Sequence, residues 1–273
     1  MPETLTAVIL GFLQGLTEFL PVSSSGHLIL AQAAFGLAEP ELAFDVVLHL
    51  GTLMAVFIFY RTALVSLVRE LRFLPGALVS PARLRELYQD RPDFRFGLLI
   101  IVGSLPTALI GLFGKGFVES HLASPGSVGV ALLATGFMLR LIGGRGEGGR
   151  DFLTVKDALF IGLVQGLAIT PGLSRSGWTI GAGLWAGLER RVAARYSFIL
   201  SVPAILGATI LELKSGLSGV FSPGDFLAGF LTAALCGFLA LRLLSWLLEG
   251  GRFAVFSWWC WAVGLAALAL AAL

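Results

Sequence analysis

Residues 7–27 read AVILGFLQGLTEFLPVSSSGH, and residues 158–178 read ALFIGLVQGLAITPGLSRSGW. Sliding the chain by 151 positions turns one stretch into the other, with 8 identities in 21: Ala7 on Ala158, Gly11 on Gly162, Gln14 on Gln165, Gly15 on Gly166, Leu16 on Leu167, Ser23 on Ser174, Ser25 on Ser176 and Gly26 on Gly177. The mismatches divide the chemistry. Where the first copy has Glu18, Ser24 and His27, the second has Ile169, Arg175 and Trp178. One copy carries groups that react or bind a cation, and the other carries a fixed positive charge.

Each copy reads as a helix that breaks early. The first runs from Thr4 to Leu20 and stops at Pro21; the second runs from Ala158 to Ile169 and stops near Pro171 and Gly172. At about 1.5 Å per residue the second is too short to cross a bilayer. Each break is followed by a Ser/Gly turn and a short apolar arm, 27–37 and 177–188, so both copies are expected to be re-entrant hairpins. Lipid cannot satisfy free amides, so irregular backbone at mid-depth must be buried in protein or line a wet cavity. The repeats therefore mark a polar cavity.

The surroundings fit a membrane. The chain has 273 residues, 56% hydrophobic and 13% charged, with a mean hydropathy of +0.89, far from a soluble domain. Six apolar runs approach the length of a span: 42–60, 96–114, 125–141, 196–213, 226–247 and 253–273. The expected fold is all-α, a polytopic membrane protein with six transmembrane helices and two opposed re-entrant hairpins in an inverted repeat. It forms a single membrane domain whose halves, about 1–142 and 151–273, are joined by the flexible linker 143–150, GGRGEGGR. The region from Thr62 to Asp93 is expected to be a partly helical cytoplasmic excursion. Met-Pro-Glu at the start lacks the basic region of a removed signal peptide. Cys236 and Cys260 lie in apolar runs, without the number or spacing for a disulfide framework or a zinc site.

Basic residues set the orientation. Sixteen of the nineteen, from Arg61 through Arg95, Arg140 through Lys156, Arg190 through Arg195, and Arg242 and Arg252, fall in alternate loops; Lys115 and Lys214 fall in the others, and Arg175 lies inside the motif. The acids Glu3, Glu39, Glu41, Glu119, Glu212 and Asp225 sit on or near the lysine-poor side. Both termini are thus expected on the outer face of a cytoplasmic membrane. The first hairpin then enters from outside and the second from the cytoplasm.

Gln14 and Glu18 share a helix face. A carboxylate inside a membrane is costly and commonly functional, the alternative being a Glu satisfied within the bundle. With the carboxamide beside it, Glu18 is suited to a hard divalent ion, Mg²⁺ or Ca²⁺, whose shell water and substrate phosphate complete; it is equally suited to act as a base. Ser23, Ser24, Ser25 and Gly26 precede a helix, where an N-cap needs only one serine. Three hydroxyls, a glycine and a helix N-terminus also make an anion cradle. His27 beside them suits proton transfer or nucleophilic attack. Arg175 offers a planar fork to phosphate oxygens, with Ser174, Ser176 and Thr179 as further donors; its alternative is a structural ion pair with Glu18. Asp45 and His49, four apart, are left between a supporting role at the cavity and a satisfied core. Trp258, Trp259 and Trp261 read as an interfacial belt.

These residues resemble the undecaprenyl-diphosphate phosphatase family, the bacitracin-resistance membrane phosphatases of cell-wall lipid recycling. The resemblance spans essentially the whole chain. It rests on QGLTEFLPVSSSGH at 14–27, FDVVLHLGTL at 44–53 and PGLSRSGWTI at 171–180. It implies opposed re-entrant helices, an active site open to the periplasmic side, and hydrolysis of undecaprenyl diphosphate to undecaprenyl phosphate and inorganic phosphate. It also implies roles in peptidoglycan synthesis, cell shape and bacitracin resistance. Catalysis would fall to Glu18, Ser24, His27 and Arg175, with either Ser24 or His27 as nucleophile. Substrate would be bound by Gln14, Ser23, Ser25, Gly26, Gly172, Ser174, Ser176 and Thr179. Many relatives carry Glu where this chain has Gln14, so a metal would rest on Glu18 with Gln14 beside it. The chain is also similar to type-2 phosphatidic acid phosphatases in its Ser-Gly-His, but Gly181 stands where their histidine belongs and Leu84 where their lysine belongs. The expected partners are the bilayer and the polyprenyl diphosphate lipid, with a homodimer left open and no nucleic acid. The rival reading is a transporter or flippase for polyprenyl phosphate, because opposed repeats with midplane sites are common in carriers.

Overall fold

A computed structural model describes residues 3–35, 42–145, 149–214 and 221–272. Glu39, Glu41, the end of the 27–37 arm and linker residues 146–148 lie outside the described residues, as do the side chains of Glu119 and Lys214. The described residues form helices, with one isolated backbone bridge between Arg150 and Leu188.

The first repeat forms α1 (Glu3–Phe19) and α2 (Ser24–Ala34). Next come α3 (Leu42–Phe59), the cluster α4 (Arg61–Glu70), α5 (Leu74–Val79) and α6 (Pro81–Asp90), then the long α7 (Pro92–His121) and α8 (Pro125–Ile142). The second repeat forms α9 (Val155–Leu167) and α10 (Arg175–Trp185), followed by α11 (Arg190–Lys214), α12 (Pro223–Glu249) and α13 (Phe256–Ala271). Both helix breaks fall where the prolines place them. The excursion expected to be partly helical is helical through most of its length.

Five helical stretches among the described residues, within α7, α8, α11 and α12 and over Phe253–Ala271, are long and apolar enough to cross a membrane. A sixth is reached by joining α3 to its continuation, which bends away by 84° after Phe59. The chain is a multi-pass membrane protein. Its outer surface has the matching composition: Leu105, Leu109, Leu112, Phe113 and Phe117 of α7 are exposed, where lipid replaces water.

Glycine seams hold the short helices in place. On α1, a Cβ at Gly11 would meet the carbonyl of Gly229 at 2.6 Å, and one at Gly15 the carbonyl of Ala233 at 2.7 Å. On α9, Gly162 and Gly166 lie as tightly against Gly103 and Ile110 of α7. Small residues at this spacing let helix backbones approach closely, which is how packing is won where lipid competes on equal hydrophobic terms. The repeated Gly11/Gly162 and Gly15/Gly166 pairs are therefore packing residues. They also cross the chain: α1, from the first half, packs on α12 of the second, and α9, from the second half, packs on α7 of the first.

Candidate active site

The two broken turns meet directly. Ser23 caps α2 by accepting the Gly26 N–H at 3.4 Å, and its Oγ also accepts the Gly172 N–H at 3.0 Å across the interface. In return Ser176 donates to the Leu20 carbonyl at 3.2 Å. A Cβ on Gly26 would stand 3.1 Å from the Gly172 backbone, and one on Gly177 3.1 Å from Pro21 Cβ. This contact is why both copies keep glycine there. Ser23 holds φ 70°, in the left-handed region that non-glycine residues seldom occupy. From α8, Thr135 donates to the Gly172 carbonyl at 3.0 Å and accepts from the Ser174 amide at 3.2 Å and the Trp178 indole at 3.1 Å.

At this junction Arg175, on the first residue of α10, forms an ion pair through Nη2 with Oε1 of the buried Glu18. The second carboxylate oxygen, Oε2, accepts Gln14 Nε2–H at 3.0 Å and Ser24 Oγ–H at 2.5 Å. His49 of α3 brings its Nε2 to 3.8 Å from the same oxygen. Two polar atoms are left over: Arg175 Nη1 and Gln14 Oε1 are buried without a hydrogen-bond partner. An orphaned buried donor or acceptor costs about 1–3 kcal/mol, so each invites a group that would complete it. Ser24, Ser25 and His49 are half-exposed and form the open side of the cluster.

The predicted set thus divides. Gln14, Glu18, Ser24 and Arg175 come together, in the ion-paired arrangement that the sequence offered as the alternative for Arg175. His27 stands apart from them. Its Nδ1 lies 2.8 Å from the Ser23 carbonyl and its Nε2 accepts the indole N–H of Trp259 at 2.9 Å, so both ring nitrogens have protein partners. Ser25 Oγ lies 3.5 Å from Ser23 Oγ. Ser174 caps α10 through the Gly177 amide at 3.1 Å and shares a hydrogen bond of 3.2 Å with Ser176, while Thr179 donates to the Arg175 carbonyl at 2.8 Å. These hydroxyls brace the turn. Two neighbours escaped the sequence reading: Thr135 gave no signal and Trp259 read as membrane belt, while His49, which the sequence left between a supporting role at the cavity and a satisfied core, stands beside Glu18.

The donors present fit a divalent cation. Glu18 Oε2, the Ser24 hydroxyl and the unpartnered Gln14 Oε1 are oxygens of the kind that such ions take.

Comparison with known proteins gives the same picture along the chain. A family model described as "Bacitracin resistance protein BacA" matches residues 7–266. The undecaprenyl-diphosphatase of Desulforapulum autotrophicum is 47% identical over 266 residues, covering 96% of each chain. That of Carboxydothermus hydrogenoformans is 42% identical over 275 residues, covering 97% of each, and that of Methanosphaera stadtmanae is 39% identical over 274, covering 99% of each.

Proposed function

The chain belongs to the bacitracin resistance protein BacA family, and from this we infer that it hydrolyses undecaprenyl diphosphate to undecaprenyl phosphate and inorganic phosphate. It thereby returns the lipid carrier of cell-wall synthesis to use, and roles in bacitracin resistance fit the family.

One observation carries the reading of the chemistry: Arg175 and Ser24 sit on the two oxygens of one carboxylate. The diphosphate enters from the side of Ser24 and Ser25. Its oxygens take the unpartnered Nη1 of Arg175 and compete with Glu18 for Nη2, so the guanidinium passes from a carboxylate to a phosphate in the bidentate mode that its shape favours. Glu18 keeps Ser24. With its hydroxyl proton already directed at Oε2, Ser24 Oγ attacks the terminal phosphorus, the proton passes to Glu18, and undecaprenyl phosphate leaves. Water then releases phosphate from the seryl ester. Ser24 is preferred to His27 as nucleophile because His27 Nε2 accepts from Trp259. His27 supports the turn through Ser23 and becomes a proton carrier only when that indole moves away. Preorganised donors that stabilise the developing charge do most to lower the barrier in reactions of this kind, and here that work falls to Arg175 with the N-terminus of α10. A divalent cation would be held by Glu18 with Gln14 and would neutralise diphosphate charge.

The loop charges support a bacterial inner-membrane protein whose two hairpins are re-entrant and inverted, with the site facing the outer side. The α1–α12 and α9–α7 exchange is what such a repeat produces.

The test is phosphate release from undecaprenyl diphosphate by purified protein. Arg175→Gln and Glu18→Gln are each expected to lose turnover. Retained activity in both variants removes the site assignment, and no release by the wild type removes the activity.

A further inference from the structure

We propose that His49 is the nitrogen ligand of a mixed-donor cation site at Glu18 Oε2, completed by Gln14 Oε1 and Ser24 Oγ. The site gives this chain a preference for transition-series divalent ions over Ca²⁺. The proposal rests on the site reading above and deepens it.

The carboxylate of Glu18 is divided between two jobs. Oε1 is held by Arg175, whereas Oε2 faces Gln14, Ser24 and His49. A cation on Oε2 therefore does not have to displace the guanidinium. His49 is set up as ligating histidines are. Its Nδ1 lies 2.7 Å from the Asp45 carbonyl, so Nδ1 donates there and the Nε2 lone pair is turned away from the helix. A backbone carbonyl holding one ring nitrogen is a recurring way of fixing the other on a metal. Nε2 stands 3.8 Å from Glu18 Oε2. That is too long for a hydrogen bond, and within the span of two ligands that share one ion at about 2.1 Å each.

Gln14 supplies the independent observation. It is wholly buried, and its Oε1 has no partner although the adjacent Nε2 touches Glu18 Oε2 at 3.0 Å. Without a cation, the carboxylate demands the amide's N–H. With one, a half-turn of the carboxamide presents Oε1 at the same place. Three elements then contribute: Gln14 and Glu18 from α1, Ser24 from α2 and His49 from α3. Oxygen donors alone suit Mg²⁺ or Ca²⁺, whereas an imidazole shifts preference along the transition series.

The experiment uses Mn²⁺ on the purified full-length protein in detergent, with and without methylenediphosphonate as a stable diphosphate mimic, read by pulsed electron paramagnetic resonance. Modulation from an imidazole nitrogen is expected, changing to the ¹⁵N pattern when histidine is ¹⁵N-labelled. It should be lost in His49→Asn and kept in His121→Asn. Mn²⁺ affinity should fall at least about tenfold in His49→Asn and should exceed Ca²⁺ affinity in the wild type. Absence of nitrogen coupling in wild type under both conditions overturns the proposal, and needs no variant to fold. So does coupling that survives in His49→Asn. Phosphate release measured on the same wild-type preparation separates the two failures: turnover without nitrogen coupling sinks this site and leaves the proposed activity standing.

Discussion

Trp259 donates its indole N–H to Nε2 of His27 at 2.9 Å, with the two rings within 8° of parallel. His27 is buried, so the indole is what satisfies its outer nitrogen. Trp259→Phe keeps an aromatic ring and removes only the donor. It is expected to lower the unfolding free energy by about 1–2 kcal/mol and to shift the Nε2 resonance of His27 in histidine-selective ¹⁵N spectra. An unchanged spectrum would deny the contact.

Glu18 and Arg175 are worth most as a pair. Removing one member of a buried pair strands the other charge, at a cost of about 3–5 kcal/mol, whereas removing both costs far less. Arg175→Gln alone should therefore melt well below wild type, and the double variant Glu18→Gln/Arg175→Gln should recover much of the loss while staying inactive. Thermal unfolding and phosphate release on the same four proteins check this. A double variant no more stable than the worse single would mean that the pair is not coupled.

Gly172 cannot carry a side chain. Its φ of +93° lies in the left-handed region, and a Cβ would meet the Val128 carbonyl at 2.5 Å. The backbone strain alone is worth about 1–3 kcal/mol. Gly172→Ala is expected to destabilise by at least that and, by pushing the two turns apart, to slow phosphate release at saturating substrate. Wild-type stability in this variant would show that the turns are not packed as described.

Outside the membrane-spanning helices, Asp157 closes a capping box with Thr154 at the start of α9 and takes both terminal nitrogens of Arg150 at 3.0 Å. Burial pushes its carboxyl up, but the Arg150 and Thr154 hydrogen bonds outweigh burial and hold it below the ordinary aspartate value of 3.8. A carboxyl depressed on folding stabilises fully above its unfolded value, and the contribution fades as pH falls through the folded one. Thermal stability should thus drop below about pH 4, and Asp157→Asn should flatten that part of the curve while lowering stability at neutral pH by about 1 kcal/mol. Parallel pH–stability curves for the two proteins would rule out the linkage.

Much of the molecule was legible in the sequence because a bilayer leaves few options. The breaks after Phe19 and Leu167 follow from Pro21, Pro171 and Gly172, whereas the pairing of Arg175 with Glu18 was offered by the sequence only as the alternative to phosphate binding. What could not be read are contacts made by residues far apart in the chain with no motif of their own. Trp259 lies 232 residues from His27, and Thr135 lies 37 from Gly172. Nor does spacing say how a hydroxyl is spent: Ser176 and Thr179 look like phosphate donors in a row of letters and bind backbone in three dimensions. The glycines repeated in both copies stand out in the sequence, and only the packed helices show which neighbours they lie against.

The exchange of partners between α1 and α12 bears on biosynthesis. Thr4 reaches Asp225 at 2.6 Å across 221 residues, so the glycine face of α1 is covered only after α12 has been made. Glu18 rides on that helix. Packing around α1 therefore cannot be completed in strict chain order.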